Sequence, residues 1–315
     1  MTPTAPGDAA GDGPAAELAP SAGTTVEASR LLALRHVVAR SRIGLSRRTA
    51  SLPGPVITRR RGRGSETDEI RLWAHGDDMR HIDRNSTART GEPHVRTFRD
   101  EREQATLLVA DFRPPMLFGT RRAFRSVACA EILALTGWRA VESGGRVALV
   151  AAGADGFEVV RPGGGDRAMT AVAGGLARAH AAALTSSDTR VPGLADALDA
   201  AVRLLPRGGS ILLATGLDAP GDDFDEALLR ARWRCDVKVA LVIDAFERRP
   251  PAGSFPFVTF AGRRGLRVVG RRPDPPEDDR LARLHRLGAD AVEIDASLSP
   301  EDQLASLGAL HASLG

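Results

Sequence analysis

The sequence predicts an α/β fold, a mainly parallel sheet flanked by helices, preceded by a small N-terminal β-rich extension. Three observations lead there. From Gln104 onward, short apolar runs alternate with amphipathic stretches. The first run, Ala105-Thr106-Leu107-Leu108-Val109-Ala110-Asp111, is apolar until it ends in an acid, as a strand buried on both faces does. Apolar residues make up 43% of the 315-residue chain, which is enough for a substantial core.

The elements follow in order. Residues 1–25 are rich in Ala, Pro, Gly, Thr and Ser, lack periodicity and are expected to form a disordered tail. Residues 26–103 read as an N-terminal helix and an Arg/Asp-rich extension. Its helix runs from Val26 to about Ser41, with Leu31, Leu32, Leu34, Val37 and Val38 as the apolar stripe. A Pro- and Arg-rich stretch follows, and 66–104 reads as short strands and turns, with His94 to Phe98 as one strand. Residues 104–315 form the α/β domain. Strands are expected at 105–111, 146–151, 210–215, 236–243 and 291–294, with 157–161 beside the second. Helices are expected at 121–142, 168–184, 192–205, 223–233, 277–287 and 299–313. In such sheets the functional crevice lies outside the carboxyl ends of the strands, which places Asp111 there.

Charge is unevenly distributed. The net charge is +3, yet Arg30 to Gln104 holds 17 Arg against 10 acids, a local surplus of seven that leaves the remainder at −4. This asymmetry suits an acidic partner surface or nucleic acid, or an internal Arg–carboxylate network, since the acids interleave with the arginines. Of the 43 basic residues only Lys238 is lysine. Cys129 and Cys235 sit in separate apolar stretches without metal-type spacing, so they read as free buried thiols in a reducing compartment. There is no apolar run of membrane-spanning length and no signal-peptide pattern, so the expected location is the cytoplasm, with no membrane partner.

Catalytic motifs are scarce. A P-loop needs Lys after a Gly-rich turn, but Lys238 lies between valines in an expected strand. Gly62 and Gly64 have no third glycine, Gly163-Gly164-Gly165 reads as a hairpin turn, and no GxSxG elbow occurs. His75, His81 and His94 share a region without a metal-binding spacing. The densest polar constellation is Gly76-Asp77-Asp78-Met79-Arg80-His81-Ile82-Asp83, followed by Ala88-Arg89-Thr90-Gly91. Its simplest role is structural, with Asp77 and Asp78 capping a turn and Asp83 pairing with Arg80, Arg89 or Arg96.

That constellation, with Arg59-Arg60-Arg61-Gly62-Arg63-Gly64 before it and Phe98-Arg99-Asp100-Glu101-Arg102-Glu103 after it, closely resembles the MoxR-associated von Willebrand factor A-like family, known as domain of unknown function 58. Arg84 departs from the tryptophan usual there. The resemblance implies a von Willebrand factor A-type, Rossmann-like domain and partnership with a MoxR-type AAA+ ATPase acting on a client protein. Metal-competent members of that fold hold Mg²⁺ with an Asp-x-Ser-x-Ser loop, a separate Thr and a distant Asp. Here Asp111 remains, Arg113 and Pro115 stand at the serine positions, Gly216 at the acid position, and Thr189 matches the Thr. The loop is therefore expected to be degenerate, with no metal and no cofactor. Asp111 is left to pair with Arg113 or cap the following helix, or Arg113 to bind a partner carboxylate directly.

The expected function is thus a non-catalytic protein–protein interaction module, an adaptor or co-chaperone of the ATPase. The alternatives are a nucleic-acid-binding protein using Arg59, Arg60, Arg61 and Arg63, disfavoured by the absence of interleaved stacking aromatics, and a hydrolase centred on Asp77, Asp78 and Asp83.

Overall fold

The computed structural model describes residues 23–41, 66–74, 79, 82–99, 105–187, 191–258, 263–270 and 278–312. The basic run Arg59–Arg63, Gly76, Asp77, Asp78, Arg80 and Thr189 lie outside the described residues, as do His75 and His81.

The body is a mixed α/β sandwich of three layers. Its strands are β3 (Ala105–Asp111), β4 (Arg146–Ala152), β5 (Phe157–Gly164), β6 (Ser210–Thr215), β7 (Asp236–Ile243) and β10 (Asp290–Asp295). They form one six-stranded sheet in the order β10-β7-β6-β3-β4-β5. All neighbouring pairs are parallel except β4–β5, which run antiparallel because only a short turn joins them. The middle strands are Val-, Leu- and Ala-rich because both their faces are covered.

Alternate residues feed two cores. Leu108, Ala110, Leu149, Leu212, Val242 and Ile294 face one way, against α1 (Ala28–Ala33), α3 (Arg125–Glu142), α4 (Gly165–Thr185) and α9 (Pro300–Ala312). Leu107, Val109, Val150, Ile211, Leu213 and Leu241 face the other way, against α5 (Ala195–Leu204), α6 (Phe224–Arg232) and Leu284 of α8 (Arg280–Arg286). This period-two split is what a sheet covered on both faces requires.

The N-terminal helix belongs to this body. Leu31, Leu34, Val37 and Val38 are buried in the first core, and a helical stretch continues over 35–41. The Trp138 indole N–H donates to the Leu31 carbonyl at 3.1 Å, Arg35 lies over the Trp138 ring and pairs with Asp166, and Arg40 pairs with Glu301. The grouping of 26–41 with the extension is therefore replaced by attachment to the sheet's helical layer.

The extension contains a hairpin of β1 (Glu66–Leu72) and β2 (His94–Arg99) and a helix, α2 (Arg84–Thr90), where only strands and turns were expected. Asp83 explains the helix. Its buried carboxylate accepts from the Ser86 amide at 2.7 Å, and Gly91, at φ 80°, closes the other end in the left-handed region. A cap of this kind is worth about 1 kcal/mol. A second ribbon, β8 (Gly253–Val258) with β9 (Arg264–Val269), follows α7 (Ala245–Arg248) beyond the end of β7.

Candidate functional site

Counted within the body, the strand order is 3-2-1-4-5-6, and it reverses between β3 and β6. In doubly wound sheets the crevice at this reversal, outside the carboxyl ends, is where ligands bind. Asp111 ends β3 and Thr215 ends β6, so both border the crevice.

Arg113 fills it. This side chain is fully buried and Asp111 is 1% exposed. Arg113 Nε donates to Asp111 Oδ1 and Nη2 to Oδ2, both at 2.8 Å, a two-point pair. Nη2 also reaches the Asp218 carbonyl, and Nη1 donates to the carbonyls of Pro192 and Ala219. A guanidinium has five N–H donors, and all five are engaged. Asp111 is equally satisfied: Oδ1 also accepts from the Arg113 amide, and Oδ2 from the Thr215 hydroxyl at 2.7 Å. Of the roles open to Arg113 in the sequence, the structure shows the ion pair with Asp111. Direct capture of a partner carboxylate has no donor left to it.

The loop after β6 is bent to serve this guanidinium. Leu217 and Ala219 have φ of 55° and 43°, a left-handed conformation that costs a non-glycine residue roughly 1–2 kcal/mol. The bend brings the Asp218 and Ala219 carbonyls onto Arg113. Gly216 is a glycine for lack of room: a Cβ there would lie 2.5 Å from Asp218 Oδ2 and 2.7 Å from Arg125 Nη1. An acid at this position would need the space those groups occupy.

A second ring of charge surrounds the plug. Arg125 donates to the Pro115 carbonyl and to Glu247 Oε1, and its Nη1 stands 2.9 Å from Asp218 Oδ2. That last contact is an ion pair by distance but lacks hydrogen-bond geometry, so Asp218 Oδ2 remains without a hydrogen-bond donor. Burial pushes the Asp218 carboxyl above the usual range; Arg125 and Arg280 oppose the shift, and Glu247 and Asp111 add to it. Arg280 Nη1 donates to the Gly216 carbonyl, and its other donors reach Glu247 and Asp278. Hydrogen bonds from Arg280 hold Asp278 below the ordinary carboxylate range. Beside this ring, buried Asp244 at the end of β7 accepts from the Thr120 amide and hydroxyl and caps α7.

The resemblance implied a Mg²⁺ loop, and these residues do not fit one. The Asp111 oxygens each accept two hydrogen bonds, and a guanidinium occupies the space a cation needs, amid three carbonyls, a hydroxyl and a carboxylate. Pro115 contributes only its carbonyl, to Arg125.

The structure thus brings Asp111, Arg113, Pro115 and Gly216 together. It places Asp83 and Arg89 at the two ends of α2, where Asp83 caps the helix and Arg89 is exposed in its last turn. Sequence reasoning missed Thr215, Arg125, Asp218, Glu247, Arg280 and Asp244. Asp218, two residues past the vacant acid position, was the one with a readable signal. A Ser126–His180 contact of 2.9 Å has the chemistry of a nucleophile and base, but the two side chains are 0% and 1% exposed beneath the Phe112 ring. Among the described residues no helix is long and apolar enough to cross a membrane.

A family model described as protein of unknown function DUF58 matches residues 69–260, more than half of the chain. The chain belongs to this family. Two curated relatives of the DUF58 chain, uncharacterized protein Rv1480 of Mycobacterium tuberculosis and uncharacterized protein Mb1516 of Mycobacterium bovis, are each 34% identical over 134 residues. The match takes in 42% of this chain and 33% of each relative, so the chain spans a third of the length of the curated relatives it matches. Among solved structures it is similar to the conserved hypothetical protein BatB of Bacteroides thetaiotaomicron, with a TM-score of 0.41, 15% identity, and coverage of 67% of this chain and 98% of that one. An aerotolerance-related membrane protein of Bacteroides fragilis gives a TM-score of 0.39 and 12% identity, covering 66% and 98%.

Proposed function

We propose that the body is a von Willebrand factor A-type domain with a degenerate metal loop, and that the protein is a non-catalytic adaptor or co-chaperone. In this reading it works in the cytoplasm with a MoxR-type AAA+ ATPase on the assembly or maturation of a client protein. The observation that carries the reading is the sealed switch point. The crevice where a doubly wound sheet would hold a cofactor or substrate contains Arg113, with every donor spent internally. In this reading function falls to the surface, and loops at the carboxyl ends of the strands are free to vary over a rigid scaffold.

A pull-down against the cognate ATPase tests this at low and moderate salt. Wild type is expected to capture the ATPase, more weakly as salt rises, because exposed charge pairs are screened. A variant reversing Arg59, Arg60 and Arg61 is expected to lose capture if that run contributes. Arg113→Glu is unsuitable as an interface probe, since reversing a buried charge disrupts the fold. Failure of the wild-type protein to capture the ATPase at low salt removes the partner assignment.

A further inference from the structure

We propose that the β8–β9 ribbon is a docking arm for an extended protein segment of alternating acidic and apolar residues, paired along the free edge of β9. This deepens the partner reading above, and rests on it, by naming the surface.

Charge is the first observation. From Arg248 to Arg272 the chain carries seven arginines and not one Asp or Glu. Arg248 pairs with Glu293, but Arg249, Arg264 and Arg267 are exposed and make no ion pair among the described residues. Such a one-signed surface selects an acidic partner and suppresses basic ones.

The second observation is the division of faces. Directly paired residues share a face, so Ser254, Pro256, Leu266, Val268 and Arg264 lie together, and Phe255, Phe257, Arg267 and Val269 lie opposite. The opposite face is the root. Phe255 meets Phe246 edge-on at 4.9 Å, Phe246 meets Phe118 of the loop after β3, Val269 is buried, and Phe257 covers Gly265. On the first face Leu266 is 61% exposed and Val268 70%. Apolar side chains held out by a rooted ribbon are a contact surface.

The third observation is the edge. Among the described residues β8 and β9 pair only with each other, so each has a side without a partner strand there. Pro256 deprives β8 of one backbone donor, while β9 has no proline and keeps its amides and carbonyls for an added strand. A strand added there would set its apolar residues beside Leu266 and Val268, and its acids on the Arg267 face. The exposed apolar side chains on the first face, Leu266 and Val268, are aliphatic and not aromatic, which favours a protein segment over stacked bases.

The test uses the full chain and a fluorescein-labelled peptide of alternating Glu and Val, followed by anisotropy at low salt. Controls are a Lys–Val peptide, a single-stranded oligonucleotide and phosphatidylglycerol vesicles. Wild type is expected to bind the Glu–Val peptide in preference to every control. Arg264→Glu with Arg267→Glu, and separately Leu266→Ser with Val268→Ser, should each weaken binding about tenfold or more while leaving the melting temperature unchanged. The proposal is overturned if the peptide is not bound, if both double variants bind it like wild type, or if the oligonucleotide or vesicles are retained and the peptide is not. The same variants in the ATPase pull-down separate the two readings. Undiminished capture by both variants removes the arm and leaves the partner. Peptide binding with no ATPase capture by wild type keeps the arm and removes that partner.

Discussion

Arg113→Ala is expected to destabilise the protein by about 3–5 kcal/mol, the usual cost of removing one member of a buried ion pair. Against a typical total of roughly 5–15 kcal/mol, this is a large single-residue effect. The reason is what the substitution strands. Asp111, 1% exposed, would keep only the Thr215 hydroxyl and one amide, and the carbonyls of Pro192, Asp218 and Ala219 would face an empty volume. The left-handed turn at Leu217 and Ala219 would also lose the cation that holds it. Arg113→Lys should recover only part of the loss, because an ammonium has three donors and no planar fork. Urea melts of the three proteins measure this; a shift within about 1 kcal/mol for Arg113→Ala would place the pair among exposed ones in energetic terms.

The second large effect is a loss of stability in mild acid that depends on His180. Burial pushes its imidazole from the ordinary 6.5 down to about 4. Between these values the unfolded chain binds a proton that the folded one does not. Stability is therefore full above about pH 6.5 and falls as pH drops toward 4, by roughly 2 kcal/mol at about pH 5 and about 3 in all. The ring sits against Phe112 and shares a hydrogen bond with Ser126, so charging it charges the core beside the plug. Denaturant melts at neutral pH and near pH 5, wild type against His180→Gln, isolate the effect because carboxylate contributions are common to both. The acid limb of the variant should be the flatter one; parallel limbs would exclude His180 as the cause.

Much of the body was legible because burial writes itself into composition. The strands at 105–111, 146–152, 210–215 and 236–243 are Val, Leu and Ala runs that can only sit inside. The helices between them came from their apolar stripes, with ends displaced by a few residues. Other elements were hidden, the helix Arg84–Thr90 and the β8–β9 ribbon among them. The helix Arg84–Thr90 is polar on all sides and rests on the Asp83 cap, so it leaves no periodicity. The β8–β9 ribbon lies in a stretch broken by Pro250, Pro251, Gly253 and Pro256, and exposes much of its surface. At the site, Asp111, Arg113, Pro115 and Gly216 were found by position in the loop. Arg125 and Arg280 were not: Arg125 opens the helix after the loop and Arg280 arrives from a helix far along the chain, and nothing local marks either arginine as one that turns inward. The packing that excludes a side chain at Gly216 exists only once Arg125 and Asp218 are in place, with Arg280 holding the Gly216 carbonyl.

A guanidinium belonging to the chain itself fills the crevice in which the proposed von Willebrand factor A-type reading would put a metal. Calorimetric titration of the full chain with Mg²⁺ and with Mn²⁺, alongside Asp111→Ala, tests it most directly. The expected result is no saturable heat that depends on Asp111, since that carboxylate already accepts hydrogen bonds on both oxygens. A stoichiometric micromolar site in wild type, abolished by Asp111→Ala, would mean that Arg113 leaves the crevice when a cation enters, and that the crevice is not sealed.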